Sequence, residues 1–87
     1  MNRLTVTVYL QSADRTRKAQ VTVPRTMRVA DIIKASTHRW IMSFHVDYQL
    51  ANISTGHMLL SNDTLTADKV RDGDVLILQP FPTHGRN

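Results

Sequence analysis

Eighty-seven residues with no cysteine allow one domain around one core, and leave too little buried surface for a deep substrate cavity beside it, so an enzyme is not expected. The absence of cysteine excludes disulfides, thiolate metal sites and a cysteine nucleophile, and fits a reducing cytoplasm. The formal charge of +4 is accompanied by only one Trp, two Tyr and two Phe, few stacking platforms for a nucleic-acid reader, so the basic excess reads as a solvated or protein-facing surface.

The opening MNRLTVTVYL alternates polar with apolar instead of forming a signal-peptide core. Nowhere does the chain approach the roughly 20 apolar residues that span a bilayer, so no membrane association and a cytoplasmic location are expected. Leu4, Val6, Val8 and Leu10 fall on one side of a half-buried strand, opposite Thr5, Thr7 and Tyr9. Ala19, Val21 and Val23 alternate again up to Pro24, which makes a hairpin whose loop carries Arg15, Arg17 and Lys18. Beyond Pro24 the period changes. Val29, Ile32, Ile33, Ser36 and Trp40 recur at spacings of three and four, the face of a helix that packs on the hairpin, with Thr26 as candidate N-cap.

Ile41 to Phe44 is apolar without a clean period, a helix end or a turn under the core. Tyr48 to Ile53 reads as a strand, Ser54 to His57 as a turn using Gly56, and Met58 to Leu60 as a short strand. From Asn62 to Val70 a turn or single helical turn brings Leu65 and Val70 over the open end of the sheet. Asp72-Gly73-Asp74 then sets the start of a last strand, Val75 to Leu78. Pro80 and Pro82 are expected to end it, dividing the chain into a domain over 1–79 and a solvent-projecting tail over 80–87.

This order is an α+β arrangement, a β-grasp: a mixed four- to five-stranded sheet packed on one helix, with first and last strands parallel at its centre. VPRTMRVADII and GHMLLSNDTLTADKVRDGDVLIL are similar to segments of the bacterial YukD/EsaB-type proteins of the ubiquitin superfamily, and the resemblance runs from Leu4 to Gln79. It implies a ubiquitin-like β-grasp fold and a non-catalytic protein that works through other proteins.

The residues that could carry chemistry do not assemble into a recognisable site. His38, His45, His57 and His84 fall on the helix, a connector, a turn and the tail, without the i, i+4 spacing of a helical zinc site, so no metal is expected. No serine stands in a Gly-x-Ser-x-Gly elbow, the aspartates read as turn residues, and no catalytic residue or cofactor is assigned. Trp40 falls in register with Val29 and Ile33 and reads as core.

Two features remain for function. If the β-branched Val75 and Ile77 face the helix, then Leu76 and Leu78 face outward beside Ala51, and with Phe81 they form a partner-binding patch. The alternative is that a loop or a second copy covers them. The tail ends Gly85-Arg86-Asn87, whereas modifiers of the superfamily end in Gly-Gly and YukD-like chains finish near the last strand. As a conjugation tail it implies an adenylating (activating) enzyme, a conjugating enzyme and a processing peptidase that exposes Gly85, or use of the carboxylate of Asn87. The rival is a non-covalent accessory or regulatory protein of a type VII secretion system; a sulfur carrier is a third class.

Overall fold

The computed structural model describes residues 4–42 and 46–81, with Phe81 described in its backbone only. Strand β1 (Thr5–Ser12) turns into β2 (Lys18–Pro24), and helix α1 (Val29–Arg39) follows. Strands β3 (Asp47–Asn52), β4 (His57–Leu59) and β5 (Val75–Phe81) complete a five-stranded sheet in the order β2-β1-β5-β3-β4. β1 and β5 pair in parallel at the centre, and every other neighbouring pair is antiparallel. This is the β-grasp arrangement.

Register decides which side chains meet. On β1 the alternation buries Val6, Val8 and Leu10, and their partners on β2 are Val23, Val21 and Ala19. Leu10 stands opposite Leu76 and Ser12 opposite Leu78, so both β5 leucines share the buried face of β1. On the far side Leu76 meets Asn52, and Leu78 meets Leu50, which in turn meets Leu59. Val29 and Ile32 of α1 close this face, with Ile33 and Trp40 packed half-buried at its margin. Leu65 and Val70 are fully buried in the same core, as expected of the segment that plugs the sheet end.

The expected phase of the last strand is therefore reversed. Leu76 and Leu78 are 0% and 1% exposed and lie in the core, while Ile77 points to the opposite face. The corner before β5 sets this phase: Gly73 N donates to Thr7 O at 2.8 Å and Tyr9 N to Asp74 O at 2.9 Å. Gly73 has φ of 88°, a conformation that glycine adopts without a side-chain clash. The strand also runs two residues past the expected boundary at Gln79, pairing Pro80 with Tyr48 and Phe81 with Asp47. Val75 directs its amide and carbonyl toward the β3 side, through Ser54 Oγ and Ile53 N. By alternation residue 80 faces the β1 side, where pairing ends at Leu78, so Pro80 costs the sheet no ladder bond.

Two expectations about the helix ends also change. The N-cap position is Arg28, without a side-chain cap bond. The first helical amides are satisfied by the chain after β4, with Val29 N donating to Asp63 O at 2.9 Å and Ala30 N to Ser61 O at 3.0 Å. Thr26 is not needed because tertiary carbonyls take the orphan donors. At the other end Ile41 is 90% exposed instead of lying under the core, while Met42 packs against it. Ser43 and Phe44 lie outside the described residues.

Candidate functional site

Because α1 covers one face of the sheet, the other face is where the domain can be approached. The side chains there follow from register. Tyr9 pairs with Val75 across the parallel centre, and Gln11 with Ile77. Ile77 pairs in turn with Ala51, and Ala51 with Met58. An apolar strip thus crosses β1, β5, β3 and β4. It is flanked by Lys18 and Gln20 on β2, and by Gln49 and Gln79, a cross-strand pair, one step further along β3 and β5. Ile77 and Ala51 are each 7% exposed, whereas Tyr9 and Met58 are 43% and 46% exposed, so the strip has a packed middle and accessible ends. A shallow depression of about 240 Å³ lies among Tyr9, Gln11, Lys18, Gln20 and Val75.

Polar networks at the two ends of the sheet hold this face in shape. In the β1–β2 turn Asp14 Oδ1 accepts from Ser12 Oγ at 2.6 Å, Thr16 Oγ1 at 2.7 Å and Thr16 N at 3.0 Å. These bonds, that of Ser12 foremost, with the nearby Arg17 charge, hold the Asp14 carboxyl down at about 2. At the opposite end the fully buried Asn52 uses its whole amide: Nδ2 donates to Lys69 O at 3.0 Å and Asp74 Oδ2 at 2.9 Å, and Oδ1 accepts from Ser54 N at 3.0 Å. Asp74 Oδ2 also accepts from Arg71 N at 2.9 Å, and Asp72 Oδ1 from Thr7 N at 2.8 Å. The Asp-Gly-Asp corner thereby ties β1, β3 and β5 together.

The cap of α1 is fixed in the same way. Asp63 Oδ2 accepts from Leu60 N at 3.0 Å, and Oδ1 pairs with Lys69 Nζ at 3.2 Å. The Leu60 amide and then Lys69 hold this carboxyl below its ordinary value. Arg25 Nη1 donates to Leu65 O at 2.7 Å and Val70 O at 2.9 Å, which anchors the plug segment to the end of β2. Among the described residues no three His, Asp or Glu side chains come together to hold a metal ion. Among the same residues no helix is long and apolar enough to cross a membrane.

Of the residues expected to make a partner-binding patch, Ala51 lies on the open face and Leu76 and Leu78 do not. Their place there is taken by Ile77 and Val75, together with Tyr9 and Met58. The signal was in the sequence: Gln79 shares its parity with Val75 and Ile77, and a polar residue marks the solvent side of a strand. The Phe81 side chain and Gly85, Arg86 and Asn87 lie outside the described residues.

The chain is similar to ubiquitin from Caldiarchaeum subterraneum, with a TM-score of 0.72 and 17% identity over 93% of this chain and 99% of that one. It is similar to the ubiquitin-like domain of Plasmodium falciparum Dsk2, with a TM-score of 0.69 and 17% identity over 88% and 99% of the two chains. A structure described as molecular mimicry of SUMO that promotes DNA repair gives a TM-score of 0.70 and 23% identity over 90% and 94%. The fold is ubiquitin-like. No protein-family model and no curated protein matches the sequence. The ubiquitin-like fold is thus carried by register and topology.

Proposed function

We propose that the domain is a ubiquitin-like protein modifier of the bacterial YukD-like type, non-catalytic itself and acting in the cytoplasm. An adenylating enzyme activates the segment that follows β5, and a conjugating partner transfers it to a target. The observation that carries the reading is the apolar strip Tyr9, Val75, Ile77, Ala51 and Met58 on the face opposite α1, crossed by the central strand β5. A partner that grips the strip holds the domain, and with it the end of β5, in a fixed orientation. In the transfer a carboxylate oxygen attacks the α-phosphorus of ATP and pyrophosphate leaves. A partner's thiol, hydroxyl or amine then displaces AMP from the acyl adenylate. Gly85 has no side chain to hinder passage through a narrow channel, which suits it to be the transferred residue after a peptidase removes Arg86 and Asn87.

Intact-mass analysis tests this. The domain, ATP and the cognate activating enzyme are incubated together, and an ester, thioester or amide adduct is expected on the wild type and not after deletion of residues 83–87. Absence of the adduct, with partner binding that Ile77→Arg still abolishes, overturns the covalent reading. It leaves a non-covalent accessory protein of the type VII secretion class, which needs only the strip.

A further inference from the structure

The C-terminal end of α1 carries an apolar side chain that the fold does not use. Trp40 is the C-cap, and the next two amides close a Schellman turn: Ile41 N donates to His38 O at 3.3 Å and Met42 N to Thr37 O at 2.9 Å. The residue after the cap takes a left-handed conformation, and Ile41 has φ of 53°. Glycine or asparagine is the ordinary occupant, because a β-branched side chain collides with its own backbone there. The apolar contact that accompanies such a turn comes from Met42, which packs on the core. Ile41 instead projects into solvent with 90% of its surface exposed. It is therefore both strained and unburied, and either property alone disfavours isoleucine in an isolated domain.

The surroundings indicate what covers it. Thr37, His38, Arg39, Ile41 and Met42 line a cleft of about 510 Å³. Arg17 reaches across from the β1–β2 turn to donate to Trp40 O at 3.2 Å, which brings a second guanidinium to the same end of the helix. The carboxylate on that turn, Asp14, is occupied by Ser12 and Thr16. The cleft is thus an apolar anchor with Arg39 in its lining and Arg17 at the same helix end, on a chain with a formal charge of +4; Lys34 and Asp47 stand together in the depression beyond Thr37, His38 and Met42. We propose that it docks an acidic segment of a partner protein, with an apolar side chain against Ile41 and flanking carboxylates toward Arg39 and Arg17. This second surface does not depend on whether the domain is conjugated.

The test is an amide NMR titration of the full chain with a synthetic peptide carrying a Leu-Phe pair between glutamates. Its control is the same peptide with lysines. The glutamate peptide is expected to shift the amides of Arg39, Ile41 and Met42, and the lysine peptide is not. Ile41→Gly should bind about tenfold more weakly while melting about 4 °C higher or more, since the strain is relieved. Arg39→Glu should also lose binding, with its Tm nearly unchanged. Unmoved amides, equal shifts from the lysine peptide, or a lower Tm for Ile41→Gly overturn the proposal. So do shifts that follow the protein's own concentration, which make the cleft a contact between copies, or tighter shifts from a single-stranded oligonucleotide.

Discussion

Both faces of the sheet carry apolar side chains, and they play opposite parts. Under α1, Leu50, Leu76, Leu78, Val6 and Val8 are 0–1% exposed, and the fully buried Asn52 beside them has its amide bonded at both ends. On the open face Ile77 and Ala51 are nearly as buried, at 7% each, yet among the described residues no helix or strand lies above them. A low exposure value therefore does not tell core from surface. What tells them apart is whether a new polar group could reach water, which a side chain on the open face can do by turning outward.

That distinction is largest for a charge placed on alternate residues of β5. Leu76→Arg puts a guanidinium between Leu10 and Asn52, where the Asp74 carboxylate bonded to Asn52 already accepts from Asn52 Nδ2 and Arg71 N. An unpaired buried charge costs several kcal/mol, comparable with the total of about 5–15 kcal/mol that holds a domain of this kind together. Circular dichroism and a melt should show an unfolded chain. A folded Leu76→Arg would mean that the parity of β5 is wrong.

Asn52→Ala is the next largest disturbance. It leaves the Ser54 amide, the Lys69 carbonyl and an Asp74 oxygen without the partners they now have, at a cost of about 2 kcal/mol in urea unfolding. The Asp74 carboxylate keeps the Arg71 amide, which limits the loss. Ile77→Arg is smaller still on stability, about 1 kcal/mol of lost apolar contact, because the Arg stem can lie along the strip with its head in water. Its effect on partner binding is the reverse, roughly 2 kcal/mol if the strip is the contact surface. A calorimetric titration against a cognate activating enzyme, alongside the melts, separates the two quantities.

How much of this was legible follows from where sequence periodicity has a phase. On β1 polar Thr5, Thr7 and Gln11 interleave with the apolar residues, so both the strand and its buried side can be read directly. The period of α1 likewise gives Val29, Ile32 and Ser36 as its inward face. Val75-Leu76-Ile77-Leu78 is apolar throughout, so its phase is marked only by Gln79 beyond it, and β-branching is a preference for strands over helices rather than for the inside of a sheet. The caps of α1 were out of reach for a different reason. Asp63 and Ser61 supply carbonyls, and a carbonyl carries no residue-specific mark in the sequence. Asn52 was hidden in the same way: a turn residue by type, it acts as an internal bracket only because Lys69, Ser54 and Asp74 converge on it.

The smallest expected effect concerns the turn that fixes β2 against β1, and through it which β2 residues face the strip, since slipping a strand by one residue exchanges its faces. Asp14 has its carboxyl lowered from 3.8 to about 2, first by the Ser12 hydroxyl and then by Thr16. A carboxyl whose folded value lies below its unfolded one stabilises the folded state only while ionised. The contribution is complete above the ordinary value of 3.8 and disappears as pH falls through about 2. Asp14→Asn, which lacks the charge at every pH, should therefore melt below the wild type near neutrality and converge with it in acid. The group is exposed, so the difference should be small and is better read site by site. In a carboxyl-detected NMR titration Asp14 should have its midpoint near 2, and in Ser12→Ala that midpoint should climb back toward 3.8. A wild-type midpoint at the ordinary value would mean that the Ser12 and Thr16 bonds do not persist in solution, and that the pairing of Gln11 with Lys18 must hold the hairpin register without them.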